Sequence, residues 1–385
     1  MTEIPINQIL QGDSLAILKT LPDECVNCVI TSPPYFGLRN YQIEGQIGLE
    51  DTFEEYLDKL LLITKELKRV LKKTGTMFWN HGDSYGGTGD KGDYQDPKYP
   101  EGRNGQKESR TQGFMEKCLL MQPYRLAQRM IDEQGWILRN VIIWHKPSCM
   151  PCSVKDRFTV DFEYVFFFVK NQKYWFEQQF EPLAESTLAD SRLDKGLVPH
   201  KSGKSLEEDS GYAISGMCAN SIGRNKRTVW QINTQPFAGG HFAVFPEELV
   251  ETPIRAGCPE FICKKCGKAR EKTYEKLYKG TTKSGYNDGY GQGKHLEIPT
   301  ETERGKFLGY SDCGCDHSDG WDKGIVLDHF AGSCTTCAVA KRLDRNYIGI
   351  ELNPEYIKLG EMRIKGAENW HFREAQNNKK LGDFK

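Results

Sequence analysis

Ser32, Pro33, Pro34 and Tyr35 stand directly behind the apolar, branched run Cys25–Ile30, where a buried strand should end. A hydroxyl precedes two prolines that stiffen the backbone around one peptide carbonyl, so the turn offers two hydrogen-bond acceptors held in fixed directions. Tyr35 adds a flat face. Near the other end of the chain, Asp328 closes a second apolar run, Gly324–Asp328, and the small residues Ala331, Gly332 and Ser333 follow. A strand, a tight turn and a helix in that order is how a doubly wound sheet meets a nucleotide-like ligand. Glu351 ends the next strand, at roughly the twenty-residue spacing where an acid accepts from ribose hydroxyls. The turn lacks the G-x-G-x-x-G of dinucleotide sites, which favours an adenosyl ligand without phosphates. A third group is built on sulfur. Cys263 and Cys266 form one close pair, Cys313 and Cys315 another, and two such pairs suit a tetrahedral structural Zn2+ with four thiolates. His295 and His317 are substitute ligands, and Cys258 reads as a small buried residue. Cys149 and Cys152 have the same C-x-x-C spacing but no second pair nearby.

Regular elements must position these groups. Thr52 and Glu55 have capping-box spacing, and Phe53, Tyr56, Leu57, Leu60, Leu67, Val70 and Leu71 recur with helical period up to Gly75. A strand, Thr76–Asn80, follows. Tyr124–Gly135 reads as a helix, Trp136–Lys146 as a strand, and Asp161–Lys170 as a strand with too few polar residues to face water. The pattern resumes with strand Gly324–Asp328, helix Cys337–Asp344, strand Asn346–Glu351 and helix Asn353–Ile364. Helices alternating with fully apolar strands predict an α/β fold: a doubly wound, mostly parallel sheet covered on both faces. Residues 81–113, rich in Gly, Asp and Lys, read as a long mobile loop. Residues 181–240 read as a small irregular module.

At 385 residues the chain can form one large domain with insertions, or two domains. Its net charge of -1 does not mark a nucleic-acid binder, yet counterion release depends on local charge. Gly223–Arg227 and Lys264–Lys272 are basic enough for a phosphate-contacting face; a solvated surface is the other reading. The N-terminus lacks the basic and apolar regions of a secretory signal, and no apolar run approaches the roughly 18 residues that span a bilayer. The expectation is a cytoplasmic protein with no membrane partner. Thirteen cysteines in that compartment point to a metal more than to disulfides.

The segments VITSPPY, VLDHFAGSCTT and YIGIELNPEYI, in this order, resemble the permuted β class of DNA amino-methyltransferases, in which the catalytic segment precedes the S-adenosylmethionine segment. The N-terminal block from Gln11 to Tyr35, the central block Arg139–Lys170 and the block His241–Cys258 extend the resemblance over most of the chain. It implies a circularly permuted S-adenosylmethionine-dependent methyltransferase fold. Residues 1–180 would form the catalytic half, 181–240 the target-recognition region, 241–259 a cofactor-pocket segment, 260–323 a zinc-ribbon-like insertion and 324–385 the S-adenosylmethionine half. Asp328, Gly332 and Ser333 would line the methionine side of the cofactor, with Phe330 and Thr335 in the same turn. Glu351 would hold the ribose, Asp13 would approach the adenine, and Phe245 and Pro246 would close the pocket. A turn residue before a helix is the other reading of Asp13. The family usually has Pro where His329 stands and Gly where Cys334 stands; a side chain at 334 adds bulk to a tight turn.

On this resemblance, Ser32 and the Pro33 carbonyl would accept hydrogens from an exocyclic base amine, a poor nucleophile whose lone pair is delocalised into the ring. Pro34 would fix their directions, and Tyr35 would stack on a base extruded from the duplex. Serine before Pro-Pro-Tyr is typical of the N4-cytosine enzymes and aspartate of the N6-adenine enzymes. The expectation is therefore a site-specific N4-cytosine methyltransferase acting on double-stranded DNA in a bacterial or phage-infected cell, paired with a cognate restriction endonuclease. N6-adenine methylation, a catalytically silent DNA-binding protein and an RNA or protein methyltransferase stand as alternatives. Arg157, Arg224, Lys226 and Arg227 are the candidate DNA contacts. Pairing with a carboxylate is the other reading of Arg157.

Overall fold

The computed structural model describes residues 3–38, 40–41, 43–86, 114–181, 224–235, 245–285, 295–316 and 318–366, without the side chains of 224, 275–285 and 295–306. Most of the expected loop 81–113 and of the region 181–240, His317 and the His295 side chain lie outside the described residues. The chain divides into two compact units. The larger comprises Met1–Glu177, Thr228–Ala269 and Asp316–Lys385, the smaller Gln178–Arg227 and Arg270–Cys315.

In the larger unit, β1 (Gln8–Gln11) leads through α1 (Ser14–Thr20) to β2 (Val26–Thr31), and α2 (Phe53–Val70) leads to β3 (Leu71–His81). Next, α3 (Gln122–Gln134) leads to β4 (Ile137–His145), which returns directly as β5 (Phe162–Val169). Strands β6 (Phe180–Glu181) and β7 (Arg224–Asn225) pair in the smaller unit. The larger unit resumes with β8 (Val229–Gln231), α4 (Glu247–Gly257) and β9 (Ile262–Cys263). The smaller unit contributes β10 (Lys272–Gly285) and β11 (His295–Tyr310); then β12 (Trp321–Asp322), β13 (Ile325–Asp328), α5 (Thr335–Arg342) and β14 (Asn346–Glu351) complete the larger one. A last helical segment runs from 354 to 366.

Eight strands form one sheet in the order β1-β14-β13-β2-β3-β5-β4-β8. Its pairs are parallel except those that β5 makes with β3 and β4. No helix separates β4 from β5, so the chain returns beside itself and must pair antiparallel. Side chains alternate across the sheet. Met77, Trp79, Phe166 and Phe168 join the core under α1, α2 and α3, while Phe78, Val165 and Phe167 join the core under α4 and α5. The Phe78 and Phe167 rings stack at 4.7 Å. Two covered faces are why these strands carry no polar stripe. Gly257 lets α4 approach closely: a Cβ there would lie 2.2 Å from Thr76 Oγ1.

The capping box at Thr52 and Glu55 forms as expected, with Glu55 N donating to Thr52 Oγ1 at 3.2 Å. The helix ends at Val70, short of Gly75, because Leu71 turns extended and pairs with Val26. In the smaller unit, the residues between the two cysteine pairs provide the arms of a long, bulged antiparallel hairpin, β10 with β11. Thr and Tyr suit strands, but this stretch has no period-two apolar face to announce them. Among the described residues, no helix is long and apolar enough to cross a membrane.

Candidate active site

The C-terminal ends of β2, β13 and β14, neighbours in the sheet, open on one cavity of about 650 Å³. Ser32, Pro33, Pro34 and Tyr35 line it from β2; Phe330, Gly332, Ser333 and Thr335 from the turn after β13; and Glu351 from the end of β14. Asp13 and Phe245 complete the expected set in the wall, whereas Pro246 is buried behind it as the residue that starts α4. The Asp13 carboxylate caps α1 by accepting from Ala16 N at 2.8 Å, as its reading as a turn residue before a helix expects.

The Ser-Pro-Pro-Tyr turn is braced from below. Tyr56 donates to the Pro34 carbonyl at 2.9 Å and lies 3.1 Å from His81 Nε2. The Trp79 indole N–H, a donor only, faces His81 Nδ1 at 3.4 Å, so Nε2 carries the ring hydrogen and donates to Tyr56. Burial pushes His81 down to about 3, which keeps it neutral and this direction fixed. The Pro34 carbonyl is thus engaged within the fold, while Ser32 and Pro33 both line the cavity. Tyr35 stacks on His81 at 5.1 Å and donates to Glu163 Oε2 at 2.8 Å. Burial, then the charge of Glu163, raises the Tyr35 phenol well above its ordinary value, so it stays a donor.

Three wall residues escaped the sequence reading: Asn80, Lys146 and Glu163. Asn80 Nδ2 donates to Glu163 at 2.8 Å and lies 3.2 Å from Tyr35 Oη and 3.4 Å from Ser32 Oγ. Its Oδ1 is buried without a partner among the described residues. Lys146 pairs with the other Glu163 oxygen and lies over the Trp144 ring. Each is a polar residue at or near the end of an apolar strand: Glu163 interrupts Phe162–Val169, while Asn80 and Lys146 close theirs. That was the available signal, but only the order β3-β5-β4 shows that they share one edge.

On the cofactor side, Glu351 accepts from Gly332 N at 2.7 Å and Asn353 N at 2.8 Å, which points its carboxylate along the cavity wall. Burial raises its pKa, partly offset by these donors. Gly332 has φ 51° and Cys334 φ 57°, left-handed angles that favour glycine. The Cys334 side chain is accommodated because residue 360 is glycine: a Cβ at Gly360 would fall 2.4 Å from its sulfur. Ser333 and Thr335 accept from Arg363 at 3.3 and 2.6 Å. His329 is buried against Phe330 and Trp79, with neither ring nitrogen partnered among the described residues, and burial pushes it down to about 3. An acid presented beside a small-residue turn with aromatic walls fits an adenosyl group.

Asp328 is placed differently from the other cofactor candidates. Its carboxylate is 1% exposed, accepts from Thr31 Oγ1 at 2.9 Å, Thr336 Oγ1 at 2.6 Å and Phe330 N at 3.2 Å, and does not line the cavity. It ties β2 to the turn after β13. Burial pushes it up to about 6 from an ordinary 3.8, the donors opposing and Glu351 adding to the rise. A raised folded-state value stabilises fully below the unfolded pKa and is lost as pH climbs through about 6. From about pH 4 to about pH 7 the wild type should therefore lose roughly 2 kcal/mol relative to Asp328→Asn. Urea unfolding of both proteins at the two pH values measures this; a pH-independent difference would contradict it.

Cys263 and Cys266 form a tight knuckle in which Cys263 N donates to Lys268 O at 3.0 Å and Gly267 N donates to Cys263 O at 2.8 Å. Cys313 and Cys315 flank Gly314, whose φ is 78°. Cys263 and Cys266 lie in the larger unit and Cys313 and Cys315 in the smaller; two such thiol pairs are the soft ligands that suit tetrahedral zinc. Cys149 and Cys152 join no such cluster among the described residues, and Cys258 is fully buried. Of the candidate DNA contacts, Arg157 stacks over Tyr85 at 4.2 Å, Arg227 pairs with Glu181 at 2.5 Å, Lys226 is exposed, and the Arg224 side chain is outside the described residues.

A proline-stiffened turn and a small-residue turn tied to an acid meet at the carboxyl edge of this sheet, an arrangement that fits an S-adenosylmethionine-dependent methyltransferase. Residues 26–262 and 319–362 match the family model described as DNA methylase, and the chain belongs to that family. It is 34% identical to the type II methyltransferase M.Cfr9I of Citrobacter freundii, over 94% of this chain and 88% of that protein. It is 32% identical to the type II methyltransferase M.SmaI of Serratia marcescens, over 93% and 90%. Among solved structures, the PvuII DNA methyltransferase (cytosine-N4-specific) is similar in fold, with TM-score 0.51 and 19% identity over 94% of this chain and 86% of that one.

Proposed function

We propose that this methyltransferase modifies the N4 amine of cytosine in double-stranded DNA at a specific sequence, after extruding the base into the cavity. The observation that carries the reading is the placement of Ser32 and Pro33 together in the cavity wall, with the family resemblance of a serine in that position. S-adenosylmethionine, when bound, supplies an electrophilic methyl carbon whose bonding pair stays on sulfur as the methyl leaves. Glu351 and the turn at Phe330–Thr335 would hold it, with Asp13 and Phe245 at its adenine end and Asp328 positioning the turn.

Ser32 and Pro33 accept the two amine hydrogens and turn the nitrogen lone pair out of the ring, so it can form the new bond. The methylated nitrogen carries a positive charge until one of its protons leaves. Ser32 takes that proton while its own passes to Tyr35, and Tyr35 gives its proton to Glu163, the carboxylate at the end of the chain of hydrogen bonds. Lys146 and Asn80 hold Glu163 in place. The relatives' designation as type II methyltransferases supports a role beside a restriction endonuclease that cuts the same sequence.

Transfer of labelled methyl to duplex DNA followed by nucleoside analysis tests the reading: N4-methylcytosine is expected, and N6-methyladenine alone would overturn the base assignment. For the cysteine cluster, the proposal is one structural Zn2+ bound by Cys263, Cys266, Cys313 and Cys315. Metal analysis should find one zinc per chain, lost on exchanging Cys263 and Cys266 together for serine. Full zinc content in that double variant would sink the assignment.

A further inference from the structure

The connection from β4 to β5 is a long loop whose two ends stand in the wall of the cavity, at Lys146 and Glu163. Its base is closed: Lys146 N donates to Asp161 O at 2.7 Å, and His145 Nε2 lies 3.3 Å from Asp161. Beyond that base the loop has no regular structure and turns its apolar side chains outward. Phe158 is 97% exposed and Met150 86%, with Val154 and Val160 about half so. The neighbouring segment adds Met115, 78% exposed, and the two are joined by Lys117–Asp156 at 2.6 Å and by Arg157 over Tyr85. Large apolar side chains this exposed are costly in water and mark a surface that meets something. The same loop carries Lys155 and Arg157 against a single acid, Asp156, which already has a cationic partner. An aromatic tip flanked by cations, rooted beside a cavity sized for a base and a cofactor, matches a duplex opened at one nucleotide: phosphates outside, and an apolar gap where a base has left.

We propose that this loop inserts Phe158 into the duplex at the place the extruded base vacates, holding the gap open while the base occupies the cavity. The proposal rests on the reading of that cavity as the target-base site. Phe158 is a positioning residue: it touches neither the reacting amine nor the methyl donor.

The test compares wild type, Phe158→Leu, Phe158→Ala and Met150→Ala on a duplex carrying the sequence mapped from methylated plasmid DNA. Each is assayed on the fully paired duplex and on one with a mismatch opposite the target base. Phe158→Ala should lose about tenfold or more in turnover on the paired duplex, where unstacking must be offset, and keep wild-type turnover on the mismatched one, where it is nearly complete already. Phe158→Leu should retain most activity on both. 2-Aminopurine placed beside the target should brighten when the wild type binds and stay dim with Phe158→Ala. Equal loss on both duplexes, loss on neither, or the same selective loss in Met150→Ala alone would overturn the insertion. Failure of the wild type to methylate any duplex would instead overturn the reading of the cavity, and it is distinguished by being independent of Phe158.

Discussion

Ser32→Ala should lower the rate of methyl transfer on the order of 10²-fold or more while leaving the affinity for S-adenosylmethionine unchanged. The hydroxyl faces the cavity from the catalytic turn, 3.4 Å from both Tyr35 Oη and Asn80 Nδ2, and touches no residue of the cofactor turn. Removing it deletes one amine acceptor and breaks the link from the amine to Glu163. It leaves the Pro34 brace through Tyr56 and His81 intact, so the fold at the turn should be retained. Single-turnover kinetics with a saturating duplex, beside calorimetric titration of the cofactor, separate the two effects. A parallel loss of cofactor binding would contradict the division of labour proposed for the cavity.

Glu351→Ala should do the reverse. Two backbone N–H groups, from Gly332 and Asn353, end on this carboxylate, and each charge-assisted bond contributes roughly 1.5–3 kcal/mol. Truncation leaves both donors without their acceptor, frees the turn that leads into α5, and removes the acid proposed to bind the ribose. Cofactor affinity should fall on the order of 10²-fold or more, measured by titration with S-adenosylmethionine or a non-reactive analogue. Glu351→Gln tests the charge directly: its amide must point an N–H at one of the two backbone N–H groups, so it should recover little. Wild-type affinity in either variant would remove Glu351 from the cofactor site.

The strands were legible where both faces are buried. The run Asn346–Glu351 is a strand over just those residues, because branched apolar residues between polar turns leave few alternatives. The long helix before β3 was legible from its capping box and period, although its end was not, since Leu71 is apolar in either a helix or a strand. The acceptor turn, the cofactor turn and Glu351 could be singled out because each sits at a strand end with a characteristic neighbour, whereas Asp13 and Phe245 were named only through the family resemblance. Asn80, Lys146 and Glu163 lie on three strands whose adjacency depends on β5 running against β3 and β4, and nothing local encodes that pairing. Asp328 shows the complementary limit: its position in the turn was clear, but the direction of its carboxylate is set by Thr31, 297 positions away.

That distance has a consequence for synthesis on the ribosome. β2, which carries the acceptor turn, lies in the middle of the sheet between β3 and β13, yet the end of β13 is translated 297 positions after the end of β2. Until it emerges, one edge of β2 has no partner, and an unpaired apolar edge invites association with other chains. Contacts of such long sequence separation also slow folding. Until then the nascent chain holds the Ser-Pro-Pro-Tyr turn without the turn after β13 beside it, and the cavity can form only after β13 and β14 have been made. A C-terminal truncation before β13 should consequently yield an aggregating polypeptide and not a partly active enzyme.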